Sequence, residues 1–398
     1  MATKHERILR AAFLTPTRQG WGLPICLWDD PGTAKTTIAS ALADLFTVKV
    51  GKDSASIPCE VLSPGERGEG AFGVTPVPGE GGYMEYPAPD WTKKFDEAGY
   101  GLVLVDELTG AATMLQPALL GLLLDKRIGG HYLGKRVRIF GAANPTDQAA
   151  GGYDLALPAA NRMGHLAWDA PNADQWAAWL LGSDSEQAHP EDLIDAEAAV
   201  MAAWPDAWAH ARGLVAGFIR AHASALHQVP EEGSPDRSRA WPSRRTWEFA
   251  TRAIASAMVN DLSESEGDEF AASFVGNKVY SEFVHYREEA DLPNPADVLD
   301  GKDKFKHNPK RLDRTFAVLY SCAALVAPLD AANRQVRLAT FFDIATDVAD
   351  DAIDVVLASC KILTKADPKV QKFNKASNDL FAKLLDPGRE ARKSRRTV

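Results

Sequence analysis

The 398-residue sequence has little cysteine, no long apolar run and no excess of positive charge. Its four cysteines, Cys26, Cys59, Cys322 and Cys360, are dispersed and form no C-x-x-C pair. That excludes a disulfide scaffold and reads as reduced packing residues of a cytoplasmic protein. The nine histidines show no metal-ligand spacing, so no zinc site is expected. No apolar stretch approaches the ~20 residues of a membrane span. Residues 1–10 are polar and charged, unlike a signal peptide. With 44 Lys and Arg against 54 Asp and Glu, the formal net charge is -10, which argues against a protein that coats nucleic acid. No internal repeat is present. What remains is a chain of ordinary globular composition, 45% hydrophobic, long enough for two or three domains.

One stretch organises the rest. The apolar residues 23–28 run into Asp29-Asp30-Pro31-Gly32-Thr33-Ala34-Lys35-Thr36-Thr37, and a helical pattern over 36–46 follows. Strand, short Gly-containing loop, Lys-Thr and helix form the context of a phosphate-binding loop. The first turn of a helix offers unpaired N–H groups and the positive end of the dipole, which phosphate oxygens accept. Lys35 would add its charge to the β- and γ-phosphates, and the Thr36 hydroxyl would ligate Mg2+. Asp29 and Ala34 stand where G-x-x-x-x-G-K-[ST] has glycines. A carboxylate 4 Å from a phosphate oxygen would cost about 4 kcal/mol at an effective dielectric near 20. Asp29 and Asp30 are therefore expected to turn away from the phosphates, or binding to be weak. The alternative reading is an ordinary strand-turn-helix corner.

Residues 47–50 read as a second strand. Residues 52–90 are rich in Gly and Pro and read as a long loop or hairpin insertion, not a core element. Within them, 68–73 match G-x-G-x-x-G, but no apolar strand enters and no helix leaves, so the dinucleotide reading lacks its context. Of the aromatics there, Phe72, Tyr83, Tyr86 and Trp91, packing onto the parent domain is favoured over facing a partner. Residues 101–105 are apolar and end in Asp106-Glu107, the pattern of a buried parallel strand with carboxylates where open α/β sheets bind ligands. There Asp106 would hold Mg2+ through water and Glu107 would orient or deprotonate an attacking water. A helix is expected over 112–125, a hairpin over 127–133 and a strand over 136–142 ending in Ala143-Asn144-Pro145. Asn144 would hydrogen-bond the water or the γ-phosphate; it is equally a turn opener. Arg162, closing a short helix, would point at a neighbouring subunit's nucleotide or sit on a solvated surface. Beyond residue 168 the pattern is helical. Arg244 and Arg245 open a helix running to 258, where their charge opposes the dipole and hints at an anionic partner. Residues 263–268 read as an acidic linker, 269–365 as helices and 389–398 as a basic tail.

In this order and spacing, Lys35-Thr36, Asp106-Glu107, Asn144, Arg162 and Arg245 resemble an AAA+ ATPase. The Pro31–Thr36 loop, Ala143-Asn144-Pro145 and the Pro-Ser-x-Arg of 242–245 resemble its MoxR-like branch, over roughly residues 20–250 and more weakly at 283–295. The resemblance implies a P-loop NTPase (AAA+) three-layer α/β/α domain with a parallel sheet, followed by an all-helical lid and C-terminal helices. It divides the chain into an α/β nucleotide-binding domain (1–168), a lid (169–262), a helical extension (263–388) and the tail (389–398). It implies that Asp30, Pro31, Gly32, Thr33, Ala34, Lys35, Thr36, Thr37 and Arg245 bind ATP. Thr36 and Asp106 would hold Mg2+, and Glu107, Asn144 and Arg162 would be catalytic, with Arg244 as fallback for Arg245. It also implies a homo-oligomeric ring, commonly a hexamer, acting as a chaperone-like remodeller of a protein client such as a von Willebrand factor A domain protein. Two further functions stay open: a nucleotide-gated scaffold without turnover, motivated by Asp29, and a nucleic-acid motor, supported only by Lys135-Arg136-Arg138 and the basic tail.

Overall fold

The computed structural model describes the chain apart from residues 1–2, 34, 51–52, 68, 113, 146–147, 149–151, 182–189 and 386–398. Ala34 of the loop and the basic tail therefore lie outside the described residues. The chain divides into two units, one of Met1–Trp204 with Ala225–Tyr280, the other of Pro205–Ser224 with Ser281–Val398.

Five parallel strands build the first unit: β1 (Ile25–Trp28), β2 (Cys59–Leu62), β3 (Tyr100–Val105), β4 (Arg136–Ala143) and β5 (Gly164–Ala167). Their order across the sheet is β5-β1-β4-β3-β2. Strands covered on both faces need apolar side chains at nearly every position, and β1 is buried throughout while β3 is buried from Gly101 onward. Register then decides where the polar residues emerge. Ala143 lies opposite Trp28, and Gly141 lies opposite both Cys26 and Val105. Asp29, Asp106 and Asn144, the next residues along, therefore leave the sheet at one edge, the carboxyl ends of three adjacent strands. This is the architecture expected from the sequence, a parallel α/β domain followed by helices.

The helices that position the site are α1 (Lys4–Phe13), α2 (Lys35–Asp44), α3 (Gln116–Asp125), α4 (Leu157–Ala160), α5 (Arg244–Val259) and α6 (Glu264–Val275). Ser243 caps α5, its hydroxyl accepting from the Thr246 N–H while Thr246 Oγ1 accepts from the Ser243 N–H. The second unit is helical, with Leu312–Val326, Ala331–Ala349, Ile353–Ala366 and Lys375–Leu385 around Leu319, Phe341, Phe342, Val355 and Leu380. Among the described residues no helix is long and apolar enough to cross a membrane.

Two sequence readings are corrected. The stretch 52–90 is not only an insertion: it contains β2, a strand of the main sheet. β2 is an edge strand with one neighbour, so it tolerates Glu60, which pairs with Arg67 and Lys94 at 2.6 and 2.5 Å. The strand expected over 47–50 is present as Phe46–Val50, in a separate three-stranded sheet with Asp53–Ser56 and Glu191–Asp192. The acidic stretch 263–268 is not a linker but the start of α6. Ser263 and Glu266 form a reciprocal cap there, and Glu264 and Glu266 favour the positive end of the helix dipole. Of the aromatics in 52–90, Phe72 and Trp91 are buried in the core and Tyr83 and Tyr86 are exposed. Two arginines of the basic cluster 135–138 share one carboxylate. Arg138 is fully buried, donating to Glu197 Oε1 at 2.6 Å, and Arg136 pairs with the same carboxylate at 2.8 Å.

Candidate nucleotide site

The loop after β1 is closed on itself. Lys35, 6% exposed, donates to Asp29 O at 2.9 Å, Asp30 O at 2.6 Å and Thr33 Oγ1 at 3.2 Å. Burial lowers the Lys35 pKa, and the charges of Asp29, Asp106 and Asp30 oppose that. Gly32 takes φ 82°, a left-handed angle that costs other L-residues roughly 1–2 kcal/mol, so the glycine is needed at position 32. Asp29 is not in the left-handed region, so the loop's first position carries no such penalty. The Asp29 carboxylate turns onto the loop backbone: Oδ1 accepts from the Asp30 N–H at 2.8 Å, and Oδ2 is buried without a hydrogen-bond partner. Asp30, Pro31, Gly32, Thr36 and Thr37 are exposed, as contact with an anion requires.

Thr36 Oγ1 donates to Asp106 Oδ2. A hydroxyl and a carboxylate side by side are the hard oxygen donors that Mg2+ takes, so these residues fit that ion. Glu107 has φ 51°, a left-handed angle rare for a non-glycine residue. It is held there by its N–H on Asp106 Oδ1 at 2.8 Å and by the Gly110 N–H on its carbonyl at 2.7 Å. Strain of this kind is retained where the surroundings over-determine it, as at functional sites. The Glu107 side chain accepts from Ser63 Oγ at 3.2 Å. Asn144 is 8% exposed, and its Oδ1 is buried without a partner. Thr109 Oγ1 donates to the Asn144 carbonyl at 3.0 Å and fixes its backbone.

Two tryptophans brace the loop. Trp168 Nε1 donates to Thr33 O at 3.0 Å, and Trp28 Nε1 donates to His165 Nδ1 at 2.9 Å. Since Nδ1 accepts, the ring proton is on Nε2, which donates to Ala160 O at 2.8 Å. Burial, with Arg239 nearby, lowers the His165 pKa to about 4. The unfolded imidazole titrates near 6.5, so between about pH 6.5 and 4 the unfolded chain binds the extra proton and acid favours unfolding. Stability is expected to fall by about 2 kcal/mol between pH 7.5 and 5 from this group alone, at 1.36 kcal/mol per pKa unit. Urea unfolding at both pH values should show that fall in the parent and a smaller one in His165→Gln; equal falls would remove His165 as the cause.

Arg162 is partly buried, with Nη1 on Pro158 O at 2.7 Å and Nε buried without a partner. Arg244 and Arg245 are the exposed first residues of α5. The described contacts bring Lys35, Thr36, Asp106, Glu107 and Asn144 to one sheet edge. They bring Arg245 to Arg162, whose pKa burial and the Arg245 charge both lower. Sequence reading missed Ser63, Trp28, His165, Trp168 and Arg239. Arg239 stacks its guanidinium carbon 3.3 Å from the Trp28 ring centroid. Ser63 follows β2 directly, so recognising that strand would have pointed to it.

Strand order and the loop-to-helix turn after β1 make the first unit a P-loop α/β domain. No family model matches the chain, and no curated protein matches it. Among solved structures it is similar to a proposed ATPase of Cytophaga hutchinsonii, at 14% identity and TM-score 0.40, covering 75% of this chain and 86% of that one. It is similar also to NtrX of Brucella abortus, at 13% identity and TM-score 0.23, covering 92% and 69%. Likeness at this level carries no argument, and the case for the site rests on its geometry.

Proposed function

We propose that this protein is an AAA+ ATPase of the MoxR-like kind, binding ATP and hydrolysing it between subunits to remodel a protein partner. The observation that carries the reading is the convergence of Lys35, Thr36, Asp106, Glu107 and Asn144 on one edge of a parallel sheet. In this reading the loop N–H groups and Lys35 bind the phosphates. Thr36 and Asp106 hold Mg2+, which supplies shielding of phosphate charge. Glu107 takes a proton from the attacking water, and Asn144 Oδ1, otherwise unpartnered, accepts a hydrogen bond from that water. Arg162 reaches the nucleotide of a second copy in a ring, a hexamer in this reading, and the client is a protein, with a von Willebrand factor A domain protein as first choice.

ATP turnover per subunit is expected to rise with protein concentration and to require Mg2+, read by phosphate release across a dilution series with mass photometry alongside. Turnover that stays constant in a monomeric protein would rule out a residue acting in trans. A nucleotide-gated scaffold is the second reading. It is favoured by the Asp29 carboxylate inside the loop, and it expects binding without phosphate release.

A further inference from the structure

The second unit carries Asp343, Asp347, Asp350, Asp351 and Asp354 in one stretch. Asp350 pairs with Lys383 at 2.8 Å and Asp354 with Arg220 at 2.7 Å. Among the described residues Asp347 has no ion pair, and Asp351 faces His307, whose Nε2 lies 3.6 Å from its Oδ2. Asp347, on the helix Ala331–Ala349, lines a cavity of about 220 Å³ with Phe305, Lys306, His307, Ile344 and Val348.

The His307 side chain is 10% exposed, and its tautomer is set from behind. Thr315 Oγ1 gives its one proton to Arg311 O at 3.3 Å, so at 2.9 Å it accepts from the His307 Nδ1–H. Nε2 of the neutral ring is then a lone pair, buried without a hydrogen-bond partner. Lone pair and carboxylate face each other with no donor between them. Buried acceptors left unpaired are costly, and a donor that carries positive charge satisfies them best. Lys306 is exposed and makes no ion pair among the described residues, so its charge stays in water. Among the described residues no three His, Cys, Asp or Glu side chains cluster closely enough to hold a metal ion. Phe305, Ile344 and Val348 give the same cavity an apolar wall. A ligand with charged N–H donors at one end and an apolar body at the other matches both halves.

We propose that this cavity binds a small organic ammonium ion. Its N–H groups meet His307 Nε2 and the Asp347 and Asp351 carboxylates, and its apolar part lies on Phe305, Ile344 and Val348. The cavity and its ligand do not depend on the nucleotide reading. Titrating the full chain at pH 8 with 2-phenylethylammonium tests the assignment, read by calorimetry and by the ¹⁵N resonances of the His307 ring, assigned through His307→Gln. Saturable binding is expected, about tenfold or more tighter than that of 2-phenylethanol, which keeps the body and loses the charge. The Nε2 resonance should move with the amine.

Asp347→Asn should weaken the amine about tenfold and leave the alcohol within about twofold. Asp347 is exposed, so the exchange leaves the packing intact. Asp343→Asn removes an exposed carboxylate of the same helix that does not line the cavity, and it should leave both affinities unchanged. No saturable binding, equal affinity for the alcohol, or an equal loss in Asp343→Asn overturns the assignment. So does Zn2+ bound at His307 that the amine fails to displace.

Discussion

Replacing Glu107 with glutamine is expected to lower ATP turnover by about 10²–10⁴-fold, the range a positioned general base supplies, while nucleotide affinity stays within a few-fold. The side chain keeps its length and shape, so it still accepts from Ser63 Oγ, a contact of 3.2 Å in the parent. The backbone at this position is left-handed, at φ 51°. Glutamine bears the same steric cost there as glutamate, so the variant isolates the chemistry from the fold. Only the ability to take a proton is removed. The protein should consequently accumulate with intact ATP bound, read by separating bound nucleotides after single-turnover mixing. Turnover within threefold of the parent would remove Glu107 from the mechanism.

Lys35→Ala is expected to weaken nucleotide binding by about 10²-fold. A hydrogen bond to a charged group is worth about 1.5–3 kcal/mol, and each 1.4 kcal/mol is tenfold. The loss has two parts. The ammonium that would face the β- and γ-phosphates disappears, and so do its bonds to Asp29 O, Asp30 O and Thr33 Oγ1, which shape the loop. Lys35→Arg should not rescue it, because the position is buried and a planar fork is too large for a site built around a point charge. Calorimetric titration with ATP checks both variants; affinity within twofold of the parent in Lys35→Ala would dissociate the loop from nucleotide binding.

Asp29 bears on both results. The sequence suggested that a carboxylate at this place would either turn away from phosphate or weaken binding. In the structure it accepts a backbone N–H of its own loop, and its second oxygen is buried without a partner. The backbone objection to a non-glycine residue does not arise, because Gly32, not Asp29, takes the left-handed angle.

Local pattern determined much of this protein. Continuous apolar runs predicted β1 and β3, since a strand covered on both faces leaves few positions for polar side chains. The loop with Lys35 and Thr36, the carboxylates after β3 and the amide after β4 followed, because each is marked by residues adjoining a strand end. Tertiary structure decided the rest. β2, with Glu60 in its middle and prolines around it, joined the main sheet only through pairing with β3. Ser63 met Glu107, and Arg239 met Trp28, across separations of 44 and 211 residues, the second from 239 minus 28. Which arginine stands by which charge depends on how strands and helices pack. A residue's own neighbours in sequence carry no record of that, because electrostatic and stacking partners are chosen in space.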